Sequence, residues 1–379
     1  MVGRHRHGCD HCIPVGIGMK RFEHGGTIFA TARILGVDPS QILDFSASIN
    51  PLGTPASVRN ALRRHLNQIA HYPDTNATEL VSALAAHHGI DASSILCGNG
   101  SAELIYLVVS ALRPAHVLIP APAFSEYERA AIASGQKCEL SYFPLTEKGG
   151  FRLDADAFIN AMASMVLTAS SSPLAFLCNP NNPTGALTLR EGVLKIARAA
   201  RKLRCYLVVD EAFIDFCPEH SVMDAVRHNP YLIVLRSMTK FYALAGLRLG
   251  FGIFPSAVRK KMESLREPWS VNSLAQIAGL AAVADDSFRA RSLRLIAREK
   301  LFLEKSFEAL RIRFIPSSAN FYLLKMLNAP AVADALARKG ILVRSCANFR
   351  GLSSAHLRIA VRSRTETLRF IEELKICKA

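Results

Sequence analysis

Between residues 94 and 237 short β-rich apolar runs alternate with helix-like stretches, and that rhythm narrows the possible folds more than any other feature of the chain. SILC (94–97) leads into SAELIYLVVSALR (101–113), HVLIP (116–120) into SEYERAAIASG (125–135), and LAFLC (174–178) into REGVLKIARAARKL (190–203). YLVV (206–209) and YLIVLRS (231–237) complete the series. Strands written as unbroken apolar runs are buried on both faces, and parallel neighbours need a helical crossover between them. The pattern predicts an α/β chain with a three-layer αβα large domain on a mostly parallel sheet.

After Pro268 the rhythm changes. A helical region over about 274–310 leads to NFYLLKM (320–326), a helix PAVADALARKG (330–340), strands ILVRS (341–345) and HLRIAV (356–361), and a last helix RTETLRFIEELK (364–375). This reads as a smaller α+β domain. The expected organisation is a disordered N-terminal extension at 1–20, an N-terminal arm at 21–65 contributing to the small domain, a large domain at 66–270 and a small C-terminal domain at 271–379.

The 379 residues are half hydrophobic, enough for a sizeable core. No apolar run approaches the roughly 18–20 residues that span a bilayer. The start of the chain is basic, but its apolar stretch is short and broken by Pro14 and glycines, so no export signal is read. Nine cysteines scattered through a chain this large, several inside apolar runs, suit free thiols in a reducing cytoplasm. The net charge of +15 is spread along helices without aromatic interleaving, so neither a nucleic-acid nor a membrane partner is expected. His5, His7, Cys9, His11 and Cys12 in RHRHGCDHC could bind zinc, yet their spacing matches no tetrahedral pattern, and no metal is expected.

Polar chemistry gathers in four loops, each after an apolar run, where ligands sit in open parallel sheets. CGNGSAE (97–103) enters a helix, so the N–H groups of Ser101 and Ala102 and the serine hydroxyl would face a phosphate. Alone, it is an ordinary turn and N-cap. CNPNNPTG (178–185) is a rigid turn whose Asn182 amide can donate to an oxygen of a bound ring. VVDEAFIDF (208–216) ends a strand on Asp210, a costly place for a carboxylate unless a cation meets it or it caps a helix. RSMTKFYALAGLR (236–248) offers Ser237, Thr239 and Arg248 for phosphate and Lys240 as an amine that can condense with an aldehyde.

Together the loops ask for one ligand: a phosphorylated aromatic aldehyde whose ring nitrogen needs a carboxylate and whose ring oxygen needs a donor. That is pyridoxal 5'-phosphate (PLP). Asp210 would keep the ring nitrogen protonated, and the protonated ring is an electron sink for reaction at a substrate's α-carbon.

The order of these residues, with 28 positions from Asn182 to Asp210, 30 on to Lys240 and 8 more to Arg248, resembles the aspartate-aminotransferase superfamily, PLP fold type I. The likeness runs over nearly the whole chain beyond about residue 20. It implies Lys240 as the lysine that bonds the cofactor aldehyde, Asp210 at the pyridine nitrogen and Asn182 at the ring hydroxyl. Ser101, Ala102, Ser237, Thr239 and Arg248 would hold the phosphate. Phe124 of APAFSEY would stack on the ring. Tyr72 of HYPD would reach the phosphate of a neighbouring subunit, which implies a homodimer. Phe213 stands where the superfamily often has tyrosine, three residues after the aspartate.

DEAFIDF, TKFYALAGLRLG, FEHGGTI and LDFSASINPLG are similar to the threonine-phosphate decarboxylase branch, with histidinol-phosphate aminotransferases as close kin. On that likeness Arg344 and Arg358 of GILVRSCANFRGLSSAHLRIAV grip the substrate's anions, and His24 and Asn50 join the substrate site. The implied activity is decarboxylation of O-phospho-L-threonine to (R)-1-aminopropan-2-yl phosphate and CO2 in cytoplasmic cobalamin side-chain synthesis. The alternative is a histidinol-phosphate-type aminotransferase using 2-oxoglutarate and glutamate. Which bond breaks depends on which one stands perpendicular to the ring, and Arg344, Arg358 and His24 would choose it by the anion each receives. A PLP-binding regulator or inactive relative ranks lower, because no DNA-binding module accompanies the lobe and every cofactor-contacting residue type is present.

Overall fold

The structure, a computed structural model, describes residues 24–135, 137–168 and 173–378. The N-terminal extension and its Cys/His tract lie outside the described residues. β1 (Leu43–Asp44) is a short strand of the arm. The large sheet is built from β2 (Ile95–Asn99), β3 (His116–Ala121), β4 (Glu139–Pro144), β5 (Leu174–Cys178), β6 (Tyr206–Asp210), β7 (Leu232–Ser237) and β8 (Leu249–Ile253). Their spatial order is β2-β8-β7-β6-β5-β3-β4. β3 to β7 pair in parallel, and β8 runs antiparallel between β7 and β2.

Alternate residues of the strands feed two cores, one on each face, as the two-residue side-chain period requires. Leu207 and Val209 face one core with Phe158, Met162 and Ile196, while Val208 faces the other with Val108, Tyr127 and Phe176. The sequence reading overlooked β4 and β8. β4 is an edge strand whose interior residues are only half-buried, and β8, LGFGI, is interrupted by Gly250 and Gly252. Gly250 is required: a Cβ there would lie 2.3 Å from the Ser101 nitrogen, so the glycine lets β8 run under the N-terminus of the helix Ser101–Leu112.

The expected helix over 274–310 is two helices, Ser273–Val283 and Asp286–Ala309. They break at Asp285, whose carboxylate accepts from the Phe288 N–H at 2.9 Å and from the Ser57 hydroxyl at 2.6 Å. β9 (Arg313–Ile315), β10 (Phe321–Lys325), β12 (Arg344–Ser345) and β13 (His356–Ala360) form an antiparallel sheet ordered β12-β13-β10-β9. Between them in sequence, β11 (Ile341–Leu342) pairs in parallel with β1. ILVRS, read as one strand, is thus shared between two sheets at Val343. Phe45, Phe307, Tyr322 and Phe370 fill the core beneath. Among the described residues no helix is long and apolar enough to cross a membrane, no side-chain group could hold a metal ion, and the cysteines are free thiols.

Candidate active site

β5 and β6 end in register, Cys178 opposite Asp210, and β7, whose Leu235 lies opposite Asp210, runs on to Ser237. At this carboxyl edge opens a cavity of about 370 Å³. Its wall brings together Ser101, Ala102, Phe124, Asn182, Asp210, Ser237, Thr239, Lys240, Arg248, Arg344, Arg358 and His24. Tyr72 and Asn50 stand apart. Tyr72 is 79% exposed and stacks on Trp269 at 4.4 Å between ring centroids. Asn50 is buried, and its amide donates to the Phe241 carbonyl and the Ser292 hydroxyl, both at 2.7 Å. Its backbone N–H donates to the Lys240 carbonyl at 3.0 Å, so Asn50 braces the lysine's helix rather than facing a ligand.

Lys240 sits in the one-turn helix Met238–Phe241 directly after β7. Burial, then the nearby guanidinium groups of Arg358 and Arg248, lower its pKa to about 8. Asp210, 2% exposed at the end of β6, is pushed up by burial. The Tyr127 hydroxyl donating to Oδ2 at 2.7 Å, the Ala212 N–H donating to Oδ1 at 3.0 Å and the charge of Lys240 work against that rise. A buried carboxylate with this much support is a partner for a protonated ring nitrogen.

The donors expected to form a phosphate cup gather at the N-terminus of the helix Ser101–Leu112. Gly100 has φ +79°, and a Cβ there would come within 2.6 Å of Arg248 Nη2, so the glycine makes room for the guanidinium. The Ser237 and Thr239 hydroxyls lie 2.7 Å apart. Helix N–H groups, hydroxyls and a guanidinium are the donor set a phosphate dianion requires. Asn182 Oδ1 accepts from Arg358 Nη1 at 2.5 Å, which leaves its NH2 to donate toward a ring oxygen.

Also lining the cavity, Arg344 of β12 lies directly opposite Arg358 of β13, and both are buried. Arg358 Nη2 donates to the Ser46 carbonyl at 2.8 Å, and its Nε has no protein partner among the described residues. Burial, with the charge of Arg344 adding to it, lowers the Arg358 pKa to about 10. Arg344 Nη2 donates to Asn348 Oδ1 at 2.9 Å. His24 Nε2 lies 2.9 Å from Glu126 Oε1, while the Tyr106 hydroxyl donates to Oε2 at 2.8 Å. Burial raises the Glu126 pKa, but these two hydrogen bonds outweigh it and leave the carboxyl below its usual value. His24 is brought there by a tight turn: Gly26 N–H donates to the Ser46 hydroxyl at 2.8 Å, and a Cβ on Gly25 would strike the Ser46 carbonyl at 2.4 Å.

The profile of aminotransferase class I and II matches residues 40–374. The chain belongs to this family. It is 41% identical to the threonine-phosphate decarboxylase of Salmonella typhimurium, over 93% of this chain and 95% of the relative. With the histidinol-phosphate aminotransferase of Nitratidesulfovibrio vulgaris it shares 34% identity over 89% of this chain and 88% of that one. The crystal structure of the histidinol-phosphate aminotransferase from Clostridium acetobutylicum superposes with a TM-score of 0.81 at 28% identity, covering 89% of this chain and 99% of that structure.

As an aminotransferase class I and II enzyme the chain uses PLP, and the donors of its cavity suit that cofactor. Sequence reasoning missed Tyr127, Glu126, Ser46 and Phe349, which also shape the site. Glu126 and Tyr127 are adjacent in the first turn of the helix Glu126–Ala133, one bonded to His24 and the other to Asp210. The only signal available was an acidic and an aromatic residue opening a helix just after a strand, which is common in soluble helices.

Proposed function

We propose that this enzyme decarboxylates O-phospho-L-threonine to (R)-1-aminopropan-2-yl phosphate and CO2. The observation that carries the reading is the register of Arg344 opposite Arg358, two buried guanidinium groups on neighbouring strands that both line the cavity. Like charges placed opposite each other on a sheet repel. A substrate bearing both a carboxylate and a phosphate would relieve that repulsion, and His24 lines the same cavity. The 41% identity to a threonine-phosphate decarboxylase supports the same substrate.

In this reading the bound cofactor supplies a cationic ring that accepts the electron pair of the bond broken at the substrate's α-carbon. Asp210 holds the ring-nitrogen proton. Lys240, with a pKa of about 8, exchanges protons near neutral pH and can return one to the reacting carbon. Arg358 and Arg344 orient the substrate so that the carboxylate, rather than the α-hydrogen, stands perpendicular to the ring. The exposed Tyr72–Trp269 pair, with Leu66 and Ile69 also exposed nearby in sequence, supports a homodimer in which Tyr72 would reach the partner's phosphate site.

The second reading is a histidinol-phosphate aminotransferase, favoured by the 34% identity to one such enzyme. Purified protein incubated with O-phosphothreonine should release CO2 and 1-aminopropan-2-yl phosphate without a keto-acid acceptor. Consumption of histidinol phosphate that depends on 2-oxoglutarate, with no CO2 from phosphothreonine, would move the assignment to the aminotransferase.

A further inference from the structure

The loop NFRGL (348–352) reaches from the small antiparallel sheet to the edge of the large one. Its backbone bonds run locally, from Phe349 N–H to the Cys346 carbonyl and from Leu352 N–H to the Phe349 carbonyl, both at 3.0 Å. Gly351 has φ +84° and its Cβ position lies 3.5 Å from the Ala121 carbonyl, so the loop backbone passes against the end of β3. A second cavity of about 350 Å³ lies beneath the loop and shares Phe124 and Phe349 with the first.

Arg350 spans this gap. Its guanidinium carbon lies 3.9 Å from the centroid of the Tyr142 ring on β4, and Nη2 is 3.8 Å from Glu128 Oε1 on the helix Glu126–Ala133. Glu128 also bonds the Tyr142 hydroxyl, so ring and carboxylate form one receptor for the guanidinium. On the inner side of the same loop, Asn348 accepts from Arg344, and the Phe349 ring lies 5.5 Å from the Arg344 guanidinium carbon. The side chains that seat Arg344 therefore neighbour the one that ties the loop to the large sheet.

We propose that Arg350 is a positioning residue: by gripping Tyr142 and Glu128 it fixes the loop that presents Asn348 and Phe349 to Arg344, and so sets where Arg344 receives the substrate's anion. This rests on the reading of Arg344 as a substrate ligand. Arg350 lines the second cavity and not the first, so replacing it loosens the seat of Arg344 while Asp210 and Lys240 stay in place.

The test is a double-mutant cycle on the PLP-loaded enzyme, with kcat and KM measured on whichever of O-phosphothreonine or histidinol phosphate the wild type turns over. Loss of one cation–π contact and its ion pair should raise KM about five- to tenfold in Arg350→Ala, with kcat and the cofactor's absorbance little changed. In an Arg344→Ala background the same change should cost less than about twofold, because the group it positions is gone. Arg350→Lys, which keeps the charge but not the planar stack, should fall between. Tyr142→Leu removes the receptor from the other side and should repeat the KM effect if Arg350→Ala fails to fold. Additive effects of Arg344→Ala and Arg350→Ala, or a fall in kcat with KM unchanged, would overturn the proposal. The wild type's choice of substrate tests the proposed reaction separately.

Discussion

Tyr127, fully buried, donates its hydroxyl proton to Asp210 Oδ2 across 2.7 Å, from a helix 83 residues upstream of the acid. The tyrosine ring stacks on Phe176 at 4.6 Å with an interplanar angle of 13°, which fixes the direction of the hydroxyl. Burial is the largest influence on both partners and raises both pKa values, so the phenol stays neutral and can only donate toward the acid. Tyr127→Phe removes one donor from a buried carboxylate, a loss of about 1.5–3 kcal/mol. We expect about a tenfold or greater fall in turnover and weaker cofactor retention. Ring-labelled cofactor read by nitrogen NMR should show a less protonated ring nitrogen. An unchanged nitrogen signal would mean that the hydroxyl only packs.

Lys240 makes the cofactor-free protein sensitive to pH in a defined direction. Its folded pKa of about 8 lies below the 10.5 of a free lysine, so the unfolded chain binds the extra proton between those values. Stability contributed by this site is therefore lowest below about pH 8 and rises as pH climbs from 8 toward 10.5. Lys240→Met should be more stable than the cofactor-free wild type at pH 7 by on the order of 2–3 kcal/mol, the gap closing at high pH. Denaturant melts of both proteins across that range measure it. Borohydride reduction of the PLP-loaded proteins followed by denaturation should leave the vitamin attached to the wild type alone.

How far the site could be read in advance depended on whether its residues announce themselves locally. Asp210, Lys240 and Arg248 follow apolar strands at fixed separations, and a costly polar residue at a strand end is visible as such. Arg358 was reached through the likeness of its string, although a guanidinium inside the apolar strand HLRIAV is itself a costly placement. Tyr127 did not, since an aromatic in the first turn of a helix normally packs a core, and here it packs a core and serves the acid. Asn50 was expected in the substrate site through the likeness of LDFSASINPLG, and its amide is instead spent on Phe241 and Ser292. β8 was hidden because its two glycines erase the β-branched signal, and close approach to Ser101 is what demands the first of them.

That close approach makes Gly250→Ala a sharp probe of the phosphate cup. The new methyl would sit 2.3 Å from the Ser101 nitrogen and 2.9 Å from the Arg236 carbonyl, both backbone atoms that cannot turn aside. Either β8 or the helix must move, at a cost of about 1–3 kcal/mol. The movement displaces the Ser101 and Ala102 N–H groups, so PLP affinity should fall about tenfold or more, by loss of one or two charge-assisted hydrogen bonds. Fluorescence titration of the cofactor-free protein reads the affinity, and a thermal melt reads the stability. Unaltered affinity in a destabilised protein would separate the sheet strain from the cup.

The exposed Tyr72 gives the last prediction. A tyrosine 79% exposed while its ring stacks on Trp269 is an aromatic surface without a cover in one chain. If it reaches a partner's phosphate cup, each active site needs Lys240 from one subunit and Tyr72 from the other. Tyr72→Ala should then weaken PLP binding although its own cavity is untouched, and Lys240→Ala should be inactive. Mixing the two inactive or impaired variants and allowing subunits to exchange should restore activity at the site that receives a good Lys240 and a good Tyr72. Sedimentation should show a dimer before and after exchange. No restoration on mixing, with exchange verified by mass, would mean that Tyr72 acts within its own chain or only as interface packing.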